Sequence, residues 1–295
     1  MKTYTYYPGC SVKGTAQPYE TSLKQVFEAL ELKLEELPDW NCCGATFYIS
    51  VDETASFVLS SRNLALAEQL GRDIVAPCSA CYLTLLKTQD YIQKYPQIRQ
   101  KVDAALAAAK LTYSGTVKVR HPLEVLFNDV GLDALRNRTR SPLRSFKVAP
   151  YYGCQIVRPF QQFDDATYPE TMDQLLTALG AEVIDYPVKT RCCGGSLTGT
   201  ITDVGLRLNY ILLKEAQERG ANCIVTVCPL CQFNLEAYQK KIIRQYKELT
   251  EIPIFYFTQL IGLAFGLQAQ KLGLNKHIIS PKKLVQSLHY AQPTI

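Results

Sequence analysis

The sequence predicts an α/β protein built as a tandem duplication of two small parallel-sheet repeats, with cysteine motifs at the strand ends. Three observations carry this reading. Cysteine motifs recur in register: Cys42, Cys43, Cys78 and Cys81 return 150 residues later as Cys192, Cys193, Cys228 and Cys231, and Cys10 returns after 144 residues as Cys154. In both halves short apolar segments alternate with stretches of helical periodicity, the pattern of strands joined by crossover helices. Each cysteine motif follows one of the short apolar segments, and sites in parallel sheets gather at strand ends.

The elements follow in order. TYTYYPGC at 3–10 reads as a strand entering a turn at Gly9, and FKVAPYYGC at 146–154 repeats it with a turn at Gly153. YETSLKQVFEAL and YPETMDQLLTALG carry apolar residues at helical spacing, and Gly180 suits a C-terminal cap. LKLEEL and AEVIDYP read as strands leading to NCCGA and RCCGG. SFVLSSRNLALAEQLG and VGLRLNYILLKEAQERG then read as long helices that end in glycine. RDIVAP and ANCIVTV are short strands of buried character that deliver CSAC and CPLC. The six extra residues of the second copy fall in the polar stretch FQQFDDATYP. The seam lies in the basic region around residues 136–146, which gives a first repeat over 1–140 and a second over 146–295 with a C-terminal helical extension.

Bulk composition narrows the function. Hydrophobic residues make up 47% and charged residues 20% of the 295-residue chain, as in globular proteins with a real core. A net charge of +5 is too small to argue for nucleic acid. The basic cluster Arg136, Arg138, Arg140, Arg144 and Lys147 reads as a solvated linker, its sharper reading being a dock for an acidic partner or anionic headgroups. No apolar run reaches the ~18 residues of a membrane span. The best candidate, Ile252–Leu267, is interrupted by Pro253, Thr258 and Gln259 and is too short, and TQLIGLAFGLQAQKLGL at 258–274 reads as a buried helix, its sharper reading being a surface that touches lipid. MKTYTYYPGC lacks the apolar core of an export signal, so the expected compartment is the reducing cytoplasm. There, eleven cysteines point to metal ligands or redox groups rather than structural disulfides.

Ten of the cysteines fall into two sets of five: Cys10, Cys42, Cys43, Cys78 and Cys81, then Cys154, Cys192, Cys193, Cys228 and Cys231. Cys223, in the apolar CIVTV segment, reads as a core residue. Zinc is closed by four ligands, which leaves a fifth thiolate over. Five thiolates suit an iron–sulfur cluster whose irons are spread further apart than in a cubane, the adjacent cysteines serving different irons. Gly44 and Gly194 would let backbone approach such a cluster, and Pro77 and Pro229 would stiffen the CxxC loops. Two alternatives stand beside this: zinc in both sites with spectator thiols, or zinc or a smaller cluster in one repeat. Disulfide exchange through CxxC leaves the Cys-Cys pairs unexplained.

On these residues the chain resembles the cysteine-rich CCG-domain proteins and is similar to the B subunit of heterodisulfide reductase. Related domain pairs occur in the iron–sulfur subunit of glycolate oxidase and in the anchor subunit of an atypical group of succinate:quinone reductases. The resemblance implies that each five-cysteine set holds a non-cubane 4Fe-4S cluster. It implies an oxidoreductase subunit that reduces a disulfide, or that passes electrons from a flavin/iron–sulfur dehydrogenase such as succinate dehydrogenase to quinone. Its implied partners are the iron–sulfur and flavin subunits of a redox complex, with no nucleic acid and with peripheral contact at the cytoplasmic face of a membrane. The rival reading is a zinc-stabilised scaffold without a redox role. No G-x-G-x-x-G fingerprint, P-loop or ferredoxin-type cysteine run marks a flavin or nucleotide site, so electrons are expected from another chain. Among other residues, His121 is expected to bond at a helix start, His277 to lie at the surface, and Tyr7 and Tyr152 to shield the clusters; none is assigned a catalytic role.

Overall fold

The computed structural model describes residues 2–45 and 48–290. It contains two four-stranded, wholly parallel sheets. The first consists of β1 (Thr3–Tyr6), β2 (Lys33–Glu36), β3 (Ile74–Val75) and β4 (Val119–Arg120), in the order β2-β1-β3-β4. The second consists of β5 (Lys147–Tyr151), β6 (Glu182–Val183), β7 (Cys223–Thr226) and β8 (Ile254–Tyr256), in the order β6-β5-β7-β8. The registers match across copies: Tyr6 lies opposite Val75 on β3, and Tyr151 opposite Thr226 on β7. The expected tandem α/β architecture is therefore present, with a fourth strand in each sheet.

Strand order decides where a site can form. From β1 the chain moves to one side to make β2, then crosses back to make β3 on the other side. Such a reversal opens a crevice at the carboxyl ends of the central strands. The central strands are buried, all four residues of β7 completely so, as expected of parallel strands covered by helices on both faces. Glu53–Gln69 and Thr202–Glu218 are the long helices that follow the two Cys-Cys loops, and the first is capped by Asp52, whose carboxylate accepts from Ala55 N at 3.1 Å.

Contacts divide the chain into two compact units. One holds the residues up to Gly14 together with Phe27–Pro122; the other holds Thr15–Val26 together with the chain from Leu123 onward. The start of the Gln17–Ala29 helix is thus counted with the second sheet. Within that unit the Tyr19 ring stacks on Tyr256 at 4.4 Å, and the Ser22 hydroxyl bonds that of Thr258 at 2.7 Å. The apolar stretch after β8 forms the helix Phe257–Ala264, buried at all eight positions. No described helix is long and apolar enough to cross a membrane. The five basic side chains near the seam are exposed, and Arg136 pairs with Asp133 at 2.6 Å. Cys223 is buried on β7, as expected.

Candidate metal centres

Each five-cysteine set is assembled by the same three connections. After β1 the chain enters the short helical segment Gly9–Lys13, which carries Cys10. A loop after β2 carries Cys42 and Cys43. After β3, Cys78 is the N-cap of the Ser79–Lys94 helix, so Cys81 falls in its first turn. The second sheet repeats this: Cys154 follows β5, Cys192 and Cys193 follow β6, and Cys228 caps the Pro229–Ala237 helix, with Pro229 at its first position.

The structure brings all ten together as two groups, each a continuous chain of sulfur contacts. In the first, Cys10 Sγ lies 4.0 Å from Cys42 Sγ, and Cys43 Sγ lies 3.3 Å from Cys81 Sγ. Cys42 also contacts Cys43, and Cys78 contacts Cys81. In the second, Cys193 Sγ lies 3.5 Å from Cys231 Sγ, with Cys154 against Cys192, Cys192 against Cys193 and Cys228 against Cys231. None of the ten is joined in a disulfide. Cys10, Cys42 and Cys192 are exposed and Cys154 is partly so, while the other six are buried. Each group is therefore rooted in protein on one side and open on the other.

Matched devices hold the two groups in shape. Gly9 and Gly153 are left-handed (φ +68° and +72°), and a Cβ on them would stand 2.9 Å from Cys81 Sγ and 3.1 Å from Cys231 Sγ. Only glycine lets the first turn close on the buried sulfur. The Tyr7 hydroxyl donates to Asn41 O, and the Tyr151 hydroxyl to Arg191 O, each at 2.8 Å, fixing the residue before each Cys-Cys pair. Gly44 N donates to Cys42 Sγ at 3.4 Å and Gly194 N to Cys192 Sγ at 3.2 Å. Gly44 and Gly194 also make room for a helix. A Cβ on them would meet Ser56 Oγ at 3.0 Å and Gly205 Cα at 3.2 Å.

The family profile described as "Cysteine-rich domain", CCG, matches residues 4–86 and again residues 148–236. The chain belongs to this family. The CCG chain is 33% identical over 286 residues, 96% of its length and 99% of the relative's, to the "8-methylmenaquinol:fumarate reductase membrane anchor subunit" of Wolinella succinogenes. It is 30% identical over 284 residues, 95% of its length and 94% of the relative's, to the B subunit of the "Ferredoxin/F(420)H(2)-dependent CoB-CoM heterodisulfide reductase" of Methanosarcina acetivorans. The solved structure of a hypothetical protein from Helicobacter pylori superposes with a TM-score of 0.76 at 18% identity, over 95% of this chain and 52% of that one, a likeness of fold.

The chemistry of the two CCG sets suits a thiolate-held cluster. Cys42, and then Cys81, pull Cys43 well below the ordinary thiol range, while Cys42 holds Cys10 above it. Cys154, and then Cys193, pull Cys192 down to about 2, and Cys192 pushes Cys193 up to about 11. Cys81 and Cys231 are held up chiefly by their bonds to Cys43 and Cys193. Charge on one sulfur is thus stabilised by protons left on its neighbours, so five thiolates together call for a cationic core. The N-termini of the helices bearing both CxxC pairs add positive potential. The buried hydroxyls of Ser56, beside Gly44, and Ser79, between Cys78 and Cys81, have no hydrogen-bond partner. Among the described residues no group of three or more His, Cys, Asp or Glu side chains is disposed about a point for a single metal ion.

Several supporting residues were not legible in the sequence. Lys189 is 1% exposed, bonded to Asp173 at 2.5 Å and to the Pro169 carbonyl at 2.9 Å. Its own carbonyl accepts from Tyr152 N and Gly153 N, each at 3.0 Å, and so carries the turn that presents Cys154. Tyr152 bonds Asp173 at 2.6 Å, whereas the counterpart of Tyr7 is Tyr151. His121 is buried with Nε2 3.1 Å from the Pro77 carbonyl, bracing the residue ahead of Cys78. The ring of His277, expected at the surface, is buried because Glu236, 3.1 Å from its Nδ1, and Gln259 satisfy its ring nitrogens. Asn234 stands where the first repeat has Thr84, a difference that overlaying the two copies at 150 residues exposes.

Proposed function

We propose that the chain is an iron–sulfur electron-transfer subunit of an oxidoreductase complex, of the same type as the B subunit of heterodisulfide reductase. The observation that carries this reading is the gathering of two five-cysteine groups, each at the carboxyl end of a parallel sheet with its sulfurs in contact. Cys10, Cys42, Cys43, Cys78 and Cys81 hold one non-cubane 4Fe-4S cluster, and Cys154, Cys192, Cys193, Cys228 and Cys231 hold the other. Such a cluster supplies one-electron uptake and release.

The chain's own residues supply the setting. Exposed Cys10, Cys42 and Cys192 leave one side of each group open to a partner or substrate, and the buried CxxC sulfurs close the other side to water. Electrons arrive from a partner chain that carries flavin or iron–sulfur groups and leave to a disulfide or a quinone. The names of the relatives support both ends: one is an anchor subunit of a menaquinol:fumarate reductase, another a heterodisulfide reductase subunit. The protein sits in the cytoplasm, with peripheral contact at the membrane in the quinone-linked case.

Anaerobic purification tests the reading. The protein is expected to be brown, with iron and acid-labile sulfide for two clusters; colourless protein with stoichiometric zinc overturns it. The subunits that co-purify from native membranes and cytosol, assayed with a mixed disulfide and with a menaquinol, separate the two routes.

A further inference from the structure

The two sites are built alike from backbone but not from side chains. Both receive one backbone N–H on the first sulfur of the Cys-Cys pair, from Gly44 and from Gly194, so that contribution is shared. In both, the carbonyl of the second cysteine is satisfied from the long helix, by Ser60 at 2.9 Å and by Asn209 at 2.8 Å. The sites part at the residue three positions after the CxxC motif. Asn234, 1% exposed, directs Nδ2 to the Gly195 carbonyl at 2.8 Å and to Cys193 Sγ and Cys193 O, each at 3.4 Å. Thr198 Oγ1 lies 2.8 Å from its Oδ1 and 3.0 Å from the Gly195 carbonyl, and its single proton, given to the nearer Oδ1, keeps the amide N–H side turned toward the sulfur. In the first repeat Thr84 Oγ1 donates to Ala80 O of its own helix at 2.8 Å, so its proton is committed away from the cysteines.

A donor aimed at a ligand sulfur stabilises the more negative state of the centre that sulfur holds, and hydrogen bonds to sulfur are one of the levers that set cluster potentials. Among the other side-chain charges near this site, Lys189 is matched by Asp173, and the Arg158 guanidinium, which donates to the Thr190 carbonyl, adds a positive charge beside Cys192 that works in the same direction as the Asn234 amide. We infer that Asn234 is a positioning residue that makes the second centre the more readily reduced of the two. An electron delivered by a reduced flavin or iron–sulfur partner therefore comes to rest on the Cys154–Cys231 side of the chain. The step is a one-electron reduction in which no bond forms or breaks. This inference rests on the iron–sulfur reading above.

The test is an EPR-monitored redox titration of the whole protein, the centres being assigned through Cys43→Ser and Cys193→Ser. Asn234→Thr imports the first repeat's residue. It is expected to keep the iron and sulfide content and the first centre's potential. The second centre's one-electron equilibrium constant for reduction should fall about fivefold, ~40 mV at 59 mV per decade. Asn209→Ser, which imports the hydroxyl that Ser60 supplies in the first repeat and alters bonds to the Cys193 and Gly205 carbonyls only, is expected to leave both potentials in place. A second-centre potential unmoved by Asn234→Thr, or moved as far by Asn209→Ser, overturns the inference. Should Asn234→Thr lose the second centre, the wild-type order decides, and a second centre of lower potential than the first overturns it. Wild-type protein without iron and sulfide instead sinks the underlying reading before any potential is measured.

Discussion

The phenol of Tyr7 is tied to the carbonyl of Asn41 at 2.8 Å, and Tyr151 makes the same bond to Arg191 in the second repeat. Burial, and then the nearby sulfurs, lift both phenols far above the ordinary tyrosine range, so each remains a protonated donor. The bond links the end of a central strand to the residue just before a Cys-Cys pair. Tyr7→Phe should cost about 1 kcal/mol in denaturant unfolding, the usual net worth of one hydrogen bond. It should also speed iron loss from the first centre alone, read as bleaching during chelator challenge. Equal bleaching of both centres would count against the brace.

Gly9→Ala and Gly153→Ala place a methyl group 2.9 Å and 3.1 Å from a buried sulfur on left-handed backbone. The backbone penalty alone is about 1–2 kcal/mol. Each variant is expected to lose the centre of its own repeat, halving iron and sulfide per chain while the other repeat's spectrum persists. Full iron content in either variant would show that the close approach is dispensable.

Cys193→Ser should change the second centre's spectrum and leave the first intact, because the sulfurs that Cys193 contacts, Cys231 at 3.5 Å and Cys192, both belong to its own set. Matching loss of both signals in EPR would contradict the two-site partition.

Lys189 and Asp173 form a buried pair beneath the turn that presents Cys154. Lys189→Met leaves the Asp173 charge unmatched and should cost about 3–5 kcal/mol, with the double variant Lys189→Met/Asp173→Asn recovering much of the loss. Burial is the largest influence on Asp173 and lifts its carboxyl above the usual range. The folded chain thus holds this proton more tightly than the unfolded chain does. The resulting stabilisation is complete below about pH 4 and fades as pH rises through the folded value. Asp173→Asn should remove that slope in unfolding measured across the acid range; an unchanged slope would refute the assignment.

What could be read from the sequence was whatever repeats or alternates locally. The 150-residue register aligned Cys42 with Cys192 and Cys78 with Cys228, and each motif lies after a strand as that register implied. β8 escaped notice because Ile254–Tyr256 runs into the Phe257–Ala264 helix with no turn residue between, so periodicity saw a single apolar stretch. His277 looked like a surface residue because its partner Glu236 lies 41 positions earlier. Gly9 read only as a turn, since what demands glycine there is the sulfur of Cys81, far along the chain. Such pairings depend on tertiary contact, which leaves no trace in local pattern.

A fragment beginning at Leu123 would keep the second sheet but lose residues 15–26, which include the buried side chains Tyr19, Leu23 and Val26. At roughly 1.5–3 kcal/mol for each large apolar side chain, the loss is of the order of a domain's whole stability. The fragment should therefore show no cooperative melt by circular dichroism. Adding a peptide of residues 15–30 in excess should raise its melting temperature, and a fragment that melts cooperatively unaided would refute this.

The placement of Tyr19 against Tyr256 also orders events on the ribosome. The stacking partner of the first ring is polymerised 237 residues after it. An amphiphilic piece of nascent chain must therefore wait, uncovered, while those 237 residues are added, which makes it a landing place for a chaperone over that interval.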